Sequence, residues 1–401
     1  MILSRRLYLV TFLSDFTLML LIFAVSRDLA EKGAGLWTMG WVGGGASVFY
    51  IISSIFGGRL SDHWARRTIV LVGSATQIAS AIGLICFRNH FPAYVAAYWV
   101  SGLAGGLIYP AIIAWLSTAD GSGPRPTRDA TRILIFFCLS WNSGMLAGQI
   151  AGGVSFRIAP EVPFFVAAVA TIITLFLVLT TPSSTPAPAP AAGFQGEEED
   201  KQLLSAAYAR VAWAANVAGA YCMGLVLHIF PDLAVSLGVH ADRHGVILGM
   251  MRVVVVSVYL LMHRLAFWHH RFSVNLIMQL AAIVGLCTLS LATSGWGLLA
   301  GLCGLGLLMG YTYFSSLYYS TSGAHDRKKG RASGIHEATF GLGLAAGAIT
   351  GGYLGAEWGP RVPYLTGLVA VGISIGIQCL IYRHYVAPVS RLVKSRQKRQ
   401  K

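Results

Sequence analysis

Apolar stretches long enough to cross a bilayer recur along the whole 401-residue sequence, each separated from the next by a few polar residues. A spanning helix needs about 20 mostly apolar residues, because each residue advances about 1.5 Å through a hydrocarbon layer about 30 Å thick. Twelve such stretches are present, centred near residues 16, 46, 78, 105, 142, 171, 217, 254, 284, 308, 344 and 372. With 55% hydrophobic residues, 11% charged residues and a mean hydropathy of +0.63, the chain lacks the polar surface of a water-soluble globule. The expected fold is therefore an all-α integral membrane protein of twelve transmembrane helices.

A net charge of +14 would suit nucleic-acid binding if the cations formed one patch. They do not. With the N-terminus placed in the cytoplasm, only Arg27, Lys32, Arg88, Arg157, Arg243 and Arg361 of the 30 Lys and Arg fall in loops on the far side. Arg210 and Arg252 lie within apolar stretches, and the rest are cytoplasmic. That asymmetry is the positive-inside bias; it sets both termini in the cytoplasm and argues against a nucleic-acid partner. The basic tail from Arg391 to Lys401 suits anionic lipid headgroups. Asp15 interrupts the first stretch and no small-residue cleavage pattern precedes Arg27, so that stretch is expected to be a retained helix. The short loops fit a prokaryotic inner-membrane protein, and a monomer is expected.

The six cysteines lie singly in apolar stretches, without disulfide or metal spacing. There is no His-Glu-x-x-His, no Gly-x-Ser-x-Gly and no phosphate loop. Neither an enzyme nor a resident metal or cofactor is expected.

Residues 182–203, a Pro/Ala alternation ending in Glu197-Glu198-Glu199-Asp200, cannot bury a core and read as a cytoplasmic linker. They divide a six-helix bundle at 1–181 from a second at 204–385, followed by a basic tail at 386–401. An internal repeat supports that division. Gly144, Gly148, Gly152 and Gly153 match Gly343, Gly347, Gly351 and Gly352 at an offset near 200, within a ten-residue window of six identities. Arg132 aligns with Arg331, and Tyr109 with Tyr311. Glycine every fourth residue lays a flat strip along one helix face, where backbones can approach closely.

Between the second and third stretches stands Gly58-Arg59-Leu60-Ser61-Asp62-His63-Trp64-Ala65-Arg66-Arg67. Its Gly-x-Leu-Ser-Asp-x-x-x-Arg-Arg spacing resembles the corresponding loop of the major facilitator superfamily of secondary transporters. The glycine strip of the fifth helix resembles that superfamily's antiporter motif, with Gln149 in place of its proline. The resemblance implies two six-helix pseudo-repeats and a cytoplasmic gate. In that gate Asp62 accepts hydrogen bonds from the start of the eleventh helix near Arg331, with Gly58, Arg66 and Arg67 in support. Helix N-termini suit a carboxylate because their first amides are unpaired and carry the positive end of the dipole. The equivalent loop of the second half has Phe267 where Asp62 would stand, so any latch is one-sided. The fourth helix lacks the embedded arginine of many proton-coupled drug exporters of the superfamily.

Charges within the bilayer are costly and mark function. Asp15 and Glu337 are the acids deep in apolar stretches, Asp15 about 12 Å in. With His336 they are candidate proton carriers; the alternative is a structural ion pair of either acid with Arg252. Arg252 could instead hold an anionic solute through its planar donor fork. The resemblance implies that helices one, four, seven and ten line the cavity, which adds Tyr109, Tyr311, Trp213 and Asn216, with Asn142 from helix five. The expected function is secondary active transport of a small organic or amphipathic solute by alternating access, coupled to protons. The alternative is an uncoupled facilitator or organic-anion exchanger using Arg252.

Overall fold

The structure, a computed structural model, describes residues 2–116, 127–182, 197–324 and 329–400. Among these, all regular structure is helical: α1 (Ile2–Glu31), α2 (Leu36–Leu60), α3 (Arg66–Cys86), α4 (Phe91–Leu116), α5 (Thr127–Ile158), α6 (Val162–Leu179) and α7 (Glu197–Gly224). A π-helical turn, Leu225–Ile229, carries α7 on into α8 (Phe230–Ser236). Then follow α9 (Ala241–Arg264), α10 (Phe272–Leu291), α11 (Gly295–Ser322), α12 (Lys329–Trp358) and α13 (Val362–Ile381). A second π-helical turn, Tyr382–Val386, leads into α14 (Ala387–Gln400). Most of the linker expected at 182–203, with Arg125, Arg327, Lys328 and Lys401, lies outside the described residues.

Eleven helical rods among the described residues are long and apolar enough to cross a membrane. The twelfth expected span, α12, is 30 residues long and packs on α2 and α7. Its glycines, with Lys329, Arg331 and Glu337, dilute its hydropathy below that of its neighbours. A helix that packs backbone to backbone needs few large apolar side chains.

Local chemistry explains several helix ends. Pro163 and Pro363 occupy the first turns of α6 and α13, where the missing N–H is no loss. Gly33 and Gly359 leave α1 and α12 at φ of 63° and 105°, a conformation that side chains resist. Ser294 caps α11 by accepting from the Gly297 amide at 3.3 Å.

The helices pack as two sets. In the first, α5 lies on α1, with Gly144 facing the Phe12 carbonyl and Asp15, Gly148 facing Phe16 and Met19, and Gly152 facing Phe23. In the second, α12 lies on α7, with Gly343 facing Val217 and Ala220, Gly347 facing Tyr221, and Gly351 facing Leu225. Two seams join the sets, α2 against α12 and α5 against α9. On α6, α10 and α13 the outward faces are apolar, as in Ile172, Phe176, Leu280, Val284, Val369 and Ile373, which is what a lipid-solvated surface requires. The amides of these outer helices turn inward: Gln279 and Gln378 exchange hydrogen bonds at 3.0 Å, joined by Asn275 and Ser374.

Candidate functional site

Asp15 and Glu337 lie inside the bundle, each 1% exposed. Tyr109 of α4 donates to Asp15 Oδ1 at 2.8 Å, while Oδ2 has no partner at hydrogen-bond distance and the Trp141 indole stands near the carboxyl. Glu337 is held on both oxygens: Tyr50 of α2 donates to Oε2 at 2.6 Å and Tyr313 of α11 to Oε1 at 2.7 Å. One tyrosine comes from each set of helices, so Glu337 is fixed across the seam. His336 turns Nδ1 to the Ser316 hydroxyl at 2.9 Å, and its unbonded Nε2 stands 3.8 Å from Glu337 Oε1.

Arg252 of α9 is also 1% exposed, yet it forms an ion pair with neither acid. Its one hydrogen bond goes to the Met223 thioether at 3.3 Å, and its Nε has none. The ion-pair alternative is thus not the arrangement present. Asn216 donates to the His336 carbonyl at 3.3 Å and to Thr339 at 3.1 Å, and its own Oδ1 is unbonded. Asn142 donates to the Tyr259 hydroxyl at 3.1 Å, a contact across the α5–α9 seam.

Two adjoining cavities lie between these groups. The larger is bounded by Asp15, Tyr50, Tyr98, Tyr109 and His228. The smaller is bounded by Asn216, Arg252, Tyr259, Thr312 and Tyr313. Trp141, Met223 and Phe340 border both. Trp141 stacks on Tyr313 at 4.2 Å between ring centroids. Of the cavity residues expected from the sequence, Tyr109, Arg252 and Asn216 therefore line one of these spaces. Asn142, Tyr311 and Trp213 do not: Tyr311 packs in the core and Trp213 donates to Ser320 at 2.7 Å. Tyr50, Tyr313 and Trp141 were not selected from the sequence. Trp141 beside Asn142, and Tyr313 in the same tyrosine cluster as Tyr311, were the available signals.

Both ends of the seams are closed, by different means. At one end Asp62 accepts from the first amides of α12, Gly330 N to Oδ1 and Arg331 N to Oδ2, each at 3.0 Å. Partial burial holds this carboxyl above its usual range, although the two amides pull it down. Gly58 lies against Gly330 and Gly334, where a larger residue would strike backbone. Arg66 and Arg67 donate to carbonyls that end α4 and α6: Ala114 at 2.7 Å, and Leu179. The Arg331 side chain is exposed, so its part in the contact is its amide.

The loop after α9 behaves differently. His270, at φ 53°, is clamped at both backbone groups by Tyr319 (2.7 Å) and Tyr208 (2.5 Å), so this loop folds back on its own set. Burial, with His269 beside it, pushes the His270 imidazole down to about 4, leaving it neutral at pH 7. At the opposite end of the bundle, Arg157 pairs with Asp242 at 2.6 Å, and Gly153 meets Gly245. There the buried His244 lies between Phe23 and Phe230, 3.5 Å from Arg27.

Two helical sets with matching glycine strips, enclosing buried charges and closed at both ends, define a membrane transport protein. The family model of the Major Facilitator Superfamily matches residues 7–336, and the chain belongs to that superfamily. It is 29% identical over 145 residues to an uncharacterized MFS-type transporter, YttB, of Bacillus subtilis (strain 168), a match covering 36% of this chain and 34% of the relative. It is 26% identical over 161 residues to the class B tetracycline resistance protein of Escherichia coli, covering 39% and 36% respectively. The matched region thus spans about a third of each relative's length. In fold, it resembles the human organic anion transporter MFSD10 (TM-score 0.70, 14% identity, 94% of this chain and 99% of that one). It also resembles the nucleoside transporter NupG (TM-score 0.67, 12% identity, 95% and 100%). The chain is a transporter, not an enzyme.

Proposed function

We propose that this protein is a secondary active transporter that moves a small organic or amphipathic solute by alternating access, with protons as the coupling ion. Asp15 carries this reading: a buried acid with one hydroxyl donor and one open oxygen, at a cavity between the two sets of helices. An acid so placed can hold and release a proton as the cavity changes its opening. Glu337, with His336 beside it, is the second candidate carrier. Twelve spans with both termini cytoplasmic put Asp62 on the cytoplasmic side, where its bonds to α12 latch that face shut. The bundles at 1–181 and 204–385 rock as units about the linker, as a monomer in a prokaryotic inner membrane.

The test is flux in proteoliposomes under an imposed pH gradient, using the solute best retained in a thermal-shift screen. Flux is expected to follow the gradient in the wild type and to lose that dependence in Asp15→Asn. Flux indifferent to the gradient, and unchanged in Asp15→Asn, removes the proposal. It would favour the second reading, an uncoupled facilitator or organic-anion exchanger, which the unpaired guanidinium of Arg252 supports.

A further inference from the structure

We infer that the solute is an organic anion whose head docks on Arg252, and that its arrival places a proton on Asp15, so that anion and proton cross in the same direction. This deepens the proton-coupled reading and rests on it.

Arg252 is the starting point. A guanidinium stays charged at any physiological pH, so it cannot escape burial by giving up its proton. Natural proteins match such a charge with carboxylate or carbonyl oxygens. Here the matched partner is a thioether, a weak acceptor, and Nε has none. The two buried acids are engaged elsewhere, Asp15 by Tyr109 and Glu337 by Tyr50 and Tyr313. What Arg252 does face is the smaller cavity, with the Tyr259 hydroxyl and Asn216 on the same wall. A carboxylate there would meet the donor fork that planar anions fit best.

The walls describe the rest of the solute. The stacked Trp141 and Tyr313, with Phe340 edge-on at 5.9 Å from Trp141, offer aromatic faces to the space that Arg252 faces. A flat apolar body stacked on those faces, its head at Arg252, leaves no polar group of its own unmatched. The class is therefore a monocarboxylate with an aromatic or similarly flat body.

Charge balance fixes the direction of coupling. Asp15 borders the cavity adjoining that of Arg252, the two spaces sharing Trp141, Met223 and Phe340. It is surrounded by Tyr109 from α4, Tyr50 from α2, Trp141 from α5, Glu337 from α12 and, across the cavity, His228. With the cavity empty, Asp15 in its ionised form is the counter-charge available to Arg252. An anion at contact distance takes over that task and repels a second negative charge through a low-dielectric interior. Asp15 then takes a proton from water on its open Oδ2. Linkage makes this reciprocal: whatever the anion does for proton binding, the proton does for anion binding. A cationic solute would have the opposite effect, displacing the proton and giving exchange.

The test uses the purified full-length chain in detergent, titrated calorimetrically with benzoate, 1-naphthoate and indole-3-acetate, each beside its neutral amide. Paired runs in phosphate and Tris at pH 7 read the protons taken up per ligand bound. At least one carboxylate is expected to bind at least about tenfold more tightly than its amide, with uptake of about one proton. Arg252→Gln should remove the tenfold preference, and Asp15→Asn should bind the carboxylate without proton uptake. The comparison of carboxylate with amide uses the wild-type chain, so it tests the inference even where a variant fails to fold. Equal binding of amide and acid overturns the inference, as does binding without proton uptake, or failure of all three carboxylates to bind. Proton-driven flux of a neutral or cationic solute would sink this inference and leave the proton-coupled reading standing. Gradient-independent flux would sink that reading instead.

Discussion

In the first set of helices the glycine strip of α5 rests on Phe12, Asp15 and Met19; in the second, the strip of α12 rests on Val217, Ala220 and Tyr221. The packing is the same and the chemistry is not. Opposite the first glycine of each strip stands an acid in one half and a methyl group in the other. The second half carries its acid on α12 instead, at Glu337, and there tyrosines from both halves close off both oxygens. Asp15 keeps an oxygen open. The loops differ in the same way, since Asp62 reaches across to α12 while the loop holding His270 is pinned to its own half. A duplicated scaffold thus supplies matching backbone contacts in both halves, and under the proposed mechanism coupling would reside in the places where the copies diverge.

The largest effect is expected from making the halves alike. Ala220 borders the cavity of Arg252, so Ala220→Asp puts a carboxylate where the anion head would sit. Affinity for the carboxylate ligands should fall by at least about tenfold, near 1.4 kcal/mol, while the fold holds by circular dichroism. Unchanged affinity would show that the solute does not use Arg252.

A smaller and more selective effect should separate the two acids. Tyr109→Phe strips Asp15 of its one hydroxyl donor. The pH profile of flux should move toward higher pH, since the lost donor favoured the ionised form. Tyr313→Phe leaves Glu337 with Tyr50 and should move the profile less. Equal shifts would mean that both acids carry the proton.

The smallest effect belongs to the loops. Asp62→Asn keeps one acceptor and loses one of two amide bonds, which should raise labelling of a cysteine introduced near the latch by several-fold, for a loss of about 1 kcal/mol. Phe267→Asp should change nothing, because its loop is folded back. A new latch appearing in that variant would show that sequence alone keeps the two ends of the repeat apart.

Much of this was legible in the sequence, for physical reasons. Span lengths follow from hydropathy, and a loop motif such as that of Asp62 lies at a helix end, where position along the chain nearly determines position in space. Asp62 and Gly58 accordingly sit at the start of α12, near Arg331. Azimuth around a helix is harder to read. Tyr311 and Tyr313 differ by two residues, about 200° around α11, and one faces Glu337 while the other faces the core. The same ignorance of azimuth left open whether Arg252 pairs with Asp15 or Glu337; it points at neither. The apolar stretch near residue 344 marked α12 as a span although its glycines score poorly, and its glycine strip is what lets it lie against α2 and α7.

The contacts between Gly58 and Gly334, Gly40 and Gly352, and Gly153 and Gly245 bear on speed. Interlocked side chains must be lifted past one another when surfaces part, and each knob withdrawn from its hole adds to the activation barrier. Bare backbone against bare backbone has no knobs to withdraw. For the rocking proposed here, such joints would act as smooth bearings, on which the halves could turn without first dismantling their packing. Bulkier residues there would be felt in the turnover number as much as in the resting state.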